Sequence, residues 1–305
     1  MCCRPDGSSS AEAPIDAVLL DLDDTIYPQS AWLSGAWEDI ARAASALGAD
    51  GEALCRALHA EAAHGSDRGR IIDGALAAIG ADDVPVGPLV DVFRRHRPGR
   101  LWPYPGAGEA LQFLMSRVRV ALVTDGDPAV QRGKLRALHL EHAFDAVVLS
   151  DELGRSFRKP HPAPLLRAAM ALGVDRRACV VIGDRPAKDV AAAAAARMRA
   201  VRVRTGEYGR YPDVPRPWRA ARDLTQAVRQ ILPFLRTPDV RRRPGDGDQG
   251  SAGPPLRSTA SCPELAGVYG QARPASIAAA RMVSAPVDAH SVCPATAMAH
   301  PATGQ

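Results

Sequence analysis

The feature that most constrains this chain is a change of rhythm around Trp102-Pro103-Tyr104-Pro105-Gly106. Two prolines and a glycine punctuate the chain there, and beyond them short apolar runs alternate with helical segments. The pattern reads as a helix over 107–116, a strand over 118–124, a helix over 128–138 and a strand over 146–149. It continues with a helix over 162–172, a strand over 179–182, a helix over 187–196 and a strand over 200–203. A last helix runs from Asp223, a good N-cap, to Leu235. The strands are β-branched and apolar on both faces, which suits a parallel sheet covered by helices on either side. An earlier apolar run, Ile15 to Leu22, ends in acid and reads as another buried strand. Residues 30–97 carry helical spacings only: Trp32, Trp37, Ile40 and Leu47 on one helix, with further helices over 51–62, 68–79 and 87–96. The expected fold is α/β: a Rossmann-like parallel sheet with helices on both faces, built from residues 15–29 and 98–236, with residues 30–97 as an inserted helical domain.

The flanks differ in composition. Residues 1–14 are small and polar, and residues 237–305 are rich in Pro, Gly, Ser and Ala with few large apolar side chains. Such segments cannot offset their ordering entropy by burial, so a disordered leader and a disordered tail are expected. Over the whole chain 46% of residues are hydrophobic, enough for a sizeable core, and the formal net charge is only +4. The arginines are dispersed, and the densest cluster, Arg241 to Arg243, lies in the tail and reads as solvated. Charge therefore does not demand a nucleic-acid polymer as partner. Cys2, Cys3, Cys55, Cys179, Cys262 and Cys293 are spaced as neither a disulfide framework nor a zinc site, and Cys179 falls in an apolar run as a core residue. No stretch suits a signal peptide, and none approaches the ~20 apolar residues that span a bilayer. A cytoplasmic protein with no membrane partner is expected; the oligomeric state is left open.

Chemistry-bearing residues gather where the predicted strands end. Asp21-Leu22-Asp23-Asp24-Thr25 follows the first strand, and alternation puts Asp21 and Asp23 on one face. Two adjacent carboxylates repel, and a divalent cation or a shared proton relieves the repulsion, although Asp and Thr also serve simply as caps and turns. Thr124-Asp125-Gly126 offers a hydroxyl and free N–H groups to an anion, or makes a tight turn. Lys159, followed by Pro160, precedes a helix; alone it would read as a surface lysine. Gly183-Asp184-Arg185-Pro186-Ala187-Lys188-Asp189 adds two acids at the next strand end. In an open parallel sheet all four sites face one edge, where ligands bind.

As a set, these residues resemble the haloacid dehalogenase superfamily. Asp21, Asp23 and Thr25 match its first motif, Thr124 the second, Lys159 the third, and Asp184 with Asp189 the fourth, over roughly Ile15 to Tyr208. The insert looks like the mobile helical cap of the family's phosphoglycolate-phosphatase-like and nucleotidase-like branch. The resemblance implies a magnesium-dependent phosphatase acting on a small phosphorylated metabolite. Asp21 would attack phosphorus and become an aspartyl-phosphate, while Asp23 would protonate the leaving oxygen and then activate water. Mg2+ would be held by the Asp21 carboxylate, the Asp23 backbone carbonyl and Asp184, with Asp189 supporting the metal or Lys159. Thr124 and the Asp125 N–H would hold phosphoryl oxygens, and Lys159 would neutralise charge on the nucleophile and the transferring group. A dehalogenase would need neither metal nor second acid, so Asp23 argues against it. A phosphomutase, or a catalytically silent binding module, stays open.

Arg185 stands where the family often has a small or polar residue; it could pair with a substrate anion, but solvent or a structural salt bridge is its expected setting. In the insert, His59, His64, Arg68, Arg70, Arg94, Arg95 and His96 are polar candidates for substrate recognition, although helical solvent faces account for most of them. Trp32 and Trp37 read as core rather than as a stacking platform.

Overall fold

The computed structural model of the chain describes residues 13–236. Of the disordered leader expected over residues 1–14, residues 1–12 lie outside the described residues, as does the whole of the disordered tail expected from Thr237 onward.

Six strands form one parallel sheet: β1 (Ala17–Leu20), β2 (Arg119–Thr124), β3 (Ala146–Leu149), β4 (Cys179–Gly183), β5 (Arg199–Val203) and β6 (Arg219–Ala221). Their spatial order is β3-β2-β1-β4-β5-β6, so the chain reverses its direction of travel across the sheet at β1. Ligands in such sheets bind outside the carboxyl ends of the strands at that reversal. Register makes the edge even: Leu20 lies opposite Leu122 on one side and Ile182 on the other. Asp21, Thr124 and Asp184 therefore emerge within one residue of the same level.

Alternation divides the core between the faces of the sheet. Val18, Leu20, Val120, Leu122, Val180, Ile182, Val201 and Val203 face one core, shared with residues of α5 (Ala107–Arg117), α6 (Pro128–Ala137) and α9 (Leu224–Ile231). Ala17, Leu19, Ala121, Val123, Cys179, Val181 and Ala200 face the other, with α7 (Ala163–Leu172) and α8 (Ala191–Ala196). Cys179 is fully buried there, as its apolar setting predicts.

Four helices intervene between β1 and α5: α1 (Gln29–Ser45), α2 (Gly51–Ala62), α3 (Ile71–Ala78) and α4 (Val86–Arg95). Among the described residues no strand interrupts them. They pack α1 on α2, α2 on α3, and α4 on both α1 and α3, and α4 also meets α6. Trp32 and Trp37 are each 2% exposed, with Phe93 edge-on to Trp32 and stacked on Trp37 at centroid distances of 5.0 and 5.3 Å.

Element boundaries differ from the sequence reading for identifiable reasons. The third helix starts at Ile71 rather than near Arg68, because Gly69 (φ 77°) and Arg70 (φ 56°) are left-handed. The helix expected from Ala187 opens as a π-helical turn, Pro186–Val190, before α8. The last helix ends at Ile231, and a 3₁₀ turn around Pro233 follows. Strand β6 is only three residues, Arg219-Ala220-Ala221, with no β-branched side chain to announce it; pairing with β5 creates it.

Candidate active site

Asp21 begins where β1 ends, and its backbone N–H donates to the Ile182 carbonyl at 3.0 Å, which fixes the start of the loop against β4. Lys159 reaches the same place from the loop before α7, followed by a cis bond to Pro160. Its Nζ donates to Asp21 Oδ1 at 2.5 Å, to Asp189 Oδ1 at 2.7 Å and to the Val123 carbonyl at 3.2 Å. All three ammonium protons are thus used, and the lysine is only 5% exposed. Burial alone would depress its pKa, but the carboxylates of Asp189, Asp21 and Asp125 outweigh burial and push it up, so it is a fixed cation.

Asp21, Asp184 and Asp189 each present a carboxylate oxygen within 4.8 Å of the others, and all three are buried. Asp189 is fully engaged: Lys159 on one oxygen, and the Arg185 backbone N–H on the other at 3.0 Å. Asp184 Oδ1 is buried with no hydrogen-bond partner. A buried acceptor without a donor is costly unless something of positive charge meets it. Burial, with Asp189 and Asp21 nearby, pushes the Asp184 carboxyl well above its usual value. Burial likewise raises Asp21 to about 7, against the opposing pull of Lys159. This all-oxygen, mutually repelling donor set fits a hard divalent cation such as Mg2+.

Asp23 is treated in the opposite way. Its Oδ1 accepts from Tyr27 Oη at 2.6 Å and Lys134 Nζ at 2.7 Å, and its Oδ2 from Lys134 Nζ at 2.8 Å and Gln131 Nε2 at 3.1 Å. Burial works against its charged form, but Lys134, Tyr27 and Gln131 overcome it and hold the carboxyl below its usual value. Thr124, at the end of β2 and 1% exposed, accepts from Gln131 Nε2 at 2.5 Å. Asp125 Oδ1 accepts from the Lys159 backbone N–H at 3.2 Å, which ties the loop after β2 to the lysine loop. Thr25 Oγ1 donates to Asp21 Oδ2 at 3.5 Å.

These groups open on a cavity of about 450 Å³ between the strand ends and the helical insert. Its insert wall is largely apolar, with Trp32, Leu33, Trp37, Ile72, Val90 and Phe93. The tryptophans are therefore core and cavity wall at once. Of the polar candidates in the insert, Arg70 and Arg94 line the cavity. His96 is buried and bonded through Nδ1 to Asp39 at 2.6 Å, Arg68 pairs with Glu61, and His59, His64 and Arg95 are exposed.

Arg185 forms a structural salt bridge. Its Nη2 lies 2.8 Å from Asp67 Oδ2, on the loop between α2 and α3, and its guanidinium stacks 4.1 Å from the Tyr208 ring centroid. Lys188 meets the same Asp67 oxygen at 2.5 Å, and Ser66 Oγ donates to Glu207 at 2.9 Å. Although burial opposes it, this pairing holds the Asp67 carboxyl well below its usual range.

Sequence reasoning missed Tyr27, Gln131, Lys134, Asp67 and Tyr208. For two of them a signal existed: Gln131 and Lys134 fall in the buried stripe of α6 with Val130 and Leu135, where a solvated polar residue does not belong.

The sequence model of the haloacid dehalogenase-like hydrolases matches residues 15–197. A glyceraldehyde 3-phosphate phosphatase from Methanopyrus kandleri is 35% identical over 202 residues, 64% of this chain and 86% of that protein. A phosphoserine phosphatase from Thermus thermophilus is 33% identical over 224 residues, covering 62% of this chain and 88% of its own length. Among solved structures, a 2-haloacid dehalogenase from Pseudomonas syringae pv. Tomato is 28% identical with a TM-score of 0.50, over 72% of this chain and 98% of that one. The family match spans more than half of the chain and takes in every strand-end residue described above, and the chain belongs to the haloacid dehalogenase-like hydrolases.

Proposed function

We propose that this protein is a magnesium-dependent phosphatase that hydrolyses a small phosphomonoester through an aspartyl-phosphate on Asp21. The observation that carries the reading is the pairing of two carboxylates in contrasting settings. Asp21 is bound to a fixed lysine within an acid cluster, and Asp23 stands two residues away under four hydrogen bonds. Asp21, Asp184 and the Asp23 backbone carbonyl would hold Mg2+, with Asp189 orienting Lys159. When bound, the cation neutralises charge on the phosphoryl oxygens and the attacking carboxylate.

In the first step an Asp21 oxygen forms a bond to phosphorus, and the bond from phosphorus to the leaving oxygen breaks. Thr124 and the Asp125 N–H steady the equatorial oxygens, and Lys159 neutralises charge on the nucleophile and the transferring group. Asp23 delivers the proton that the leaving oxygen needs. Because Lys134 keeps Asp23 ionised in the free protein, that proton arrives with the ester itself, whose second ionisation lies near ~6. In the second step Asp23 takes a proton from water, the water oxygen attacks phosphorus, and the Asp21–phosphorus linkage breaks to release phosphate. The helical insert, residues 30–97, acts as the cap that shelters the cavity. The names of the relatives, glyceraldehyde 3-phosphate and phosphoserine phosphatases, support a small substrate of this class.

The test is release of inorganic phosphate from 4-nitrophenyl phosphate, glyceraldehyde 3-phosphate, phosphoserine, phosphoglycolate and nucleoside monophosphates, with Mg2+ and with a chelator. Phosphate release that needs Mg2+ is expected. Halide release from a 2-haloacid in chelator, with no phosphate released from any ester, would replace this reading with a dehalogenase.

A further inference from the structure

We propose that Lys134 is a positioning residue of the reaction, holding the Asp23 carboxylate where it can deliver a proton to the leaving oxygen. This rests on the phosphatase reading and adds a residue from outside the strand-end set, on α6.

Three observations carry it. Lys134 is 3% exposed, and its ammonium spans both oxygens of Asp23 at 2.7 and 2.8 Å. An ammonium shared by both oxygens centres the carboxylate on the lysine, and Tyr27 and Gln131, each on a separate oxygen, set the rotation of the group. The same Nζ sits 4.7 Å from the centroid of the Trp32 ring, the wall of the cavity opposite the strand ends. The lysine is therefore caged between the acid it grips and an aromatic face of the insert. Finally, Gln131, one turn earlier on α6, bonds both Asp23 Oδ2 and Thr124 Oγ1. A single helix face thereby connects the proposed acid to the proposed phosphoryl-binding hydroxyl. Nothing else of comparable burial in α6 requires a charge, and an apolar residue would fill position 134 at lower cost if packing were its only role.

The consequence depends on the leaving group. Displacement of an alkoxide from an alkyl phosphate needs a proton at the departing oxygen. Displacement of 4-nitrophenolate needs little help, because its conjugate acid is far stronger. If Lys134 acts by aiming Asp23, its loss penalises alkyl esters selectively; a general loosening of the fold penalises both alike.

The experiment compares kcat/KM, which ends with departure of the leaving group, for 4-nitrophenyl phosphate and for the best alkyl phosphate of the panel above. Enzymes are the wild type, Lys134→Met, Lys134→Arg, Asp23→Asn and the double variant Asp23→Asn/Lys134→Met, all with Mg2+. Lys134→Met is expected to lower the alkyl value by about 10–100-fold, as misplacing a reacting group does, while the aryl value stays within about threefold. Lys134→Arg, which keeps the charge and can grip both oxygens, recovers part of the loss. In the Asp23→Asn background Lys134→Met has no further effect on the alkyl ester, as expected of two residues acting through one proton transfer. Equal losses on both esters from Lys134→Met and Lys134→Arg, or additive losses in the double variant, overturn the assignment of Lys134 and leave the phosphatase reading standing. A wild type that hydrolyses neither ester overturns that reading, and this one with it.

Discussion

Asp21 and Asp23 are two positions apart, yet their surroundings drive them in opposite directions. Burial and the neighbouring acids raise Asp21 to about 7, while Lys134, Tyr27 and Gln131 offset burial and keep Asp23 below its usual value. One would be, in the proposed reaction, a nucleophile beside a cation and the other an acid–base group gripped by donors, and the separation suits those tasks. In the proposed reaction Asp21→Asn should abolish phosphate release, because an amide is a poor nucleophile. Asp23→Asn should lower turnover by ~10²–10⁴-fold, the usual share of a positioned acid, while Mg2+ binding is largely retained. Turnover and calorimetric Mg2+ titration of both variants check this; full activity in Asp21→Asn would place the nucleophile elsewhere. At this scale the sequence was informative where chemistry coincides with strand ends. Asp21, Thr124 and Asp184 end or follow apolar runs, and parallel register does the rest; Lys159, on the loop before α7, stood out only as one of the motif set. Lys134 and Tyr27 lack that marker. They reach Asp23 from a helix and a loop, and only the fold sets the distance.

Among the elements, the π-helical turn Pro186–Val190 does the most to shape the site, because it folds Asp189 back onto the strand it has just left. The space for this is made by Gly183, the last residue of β4: a Cβ there would lie 2.6 Å from the Asp189 Cβ and closer still to its carboxylate. Gly183→Ala should therefore push Asp189 away from Lys159, destabilising the protein by roughly 1–3 kcal/mol as overpacking does, and lower kcat/KM with the sheet intact. Gly108→Ala is the control. It sits in the first turn of α5 with open space around its Cβ position, and should be neutral or slightly stabilising. Thermal melts and kinetics of the pair decide it, and a Gly183→Ala protein indistinguishable from wild type would mean that the turn does not need that gap. The turn was legible only as a helix start, since Pro186 and the alanines after Asp189 suit any helical first turn. Similarly, β6 escaped notice because pairing with β5, rather than propensity, makes it a strand. The longer elements were legible because apolar periodicity over several residues outweighs such local exceptions.

Across the whole molecule, the insert and the sheet meet through charge as well as through apolar packing. Asp67 on the insert engages Arg185, Lys188 and Tyr208 beside the acid cluster. Ser66 and Glu207, 141 positions apart, close the same seam. No local pattern announces such a contact, so sequence reasoning left Arg185 between solvent and a structural salt bridge and found no partner for it. The acid cluster next to this seam should tie global stability to pH and, if it holds the proposed cation, to metal. Asp21 titrates near 3.8 when unfolded and at about 7 when folded. Between those values the folded state binds more protons than the unfolded one, so the metal-free protein loses stability as pH rises through that window. Asp184, shifted in the same direction, adds to the loss. Asp23 and Asp67, shifted downward, lose their contribution only on acidification below the ordinary carboxylate range and so do not cancel the trend. The melting temperature of the metal-free protein should accordingly fall between pH 5 and pH 8 by several degrees, at about 2–4 °C per kcal/mol for a protein of this size. In the proposed site Mg2+ would bind the ionised acids of the folded state and below about pH 7 compete with their protons, so it should reverse the fall. Its stabilising shift should therefore be larger at pH 8 than at pH 6, and in Asp184→Asn it should shrink at both. Scanning calorimetry at the two pH values, with chelator and with Mg2+, reads all of these at once. A metal-free melting temperature that climbs from pH 6 to pH 8, or a Mg2+ shift that Asp184→Asn leaves untouched, would remove the acid cluster as the seat of the cation.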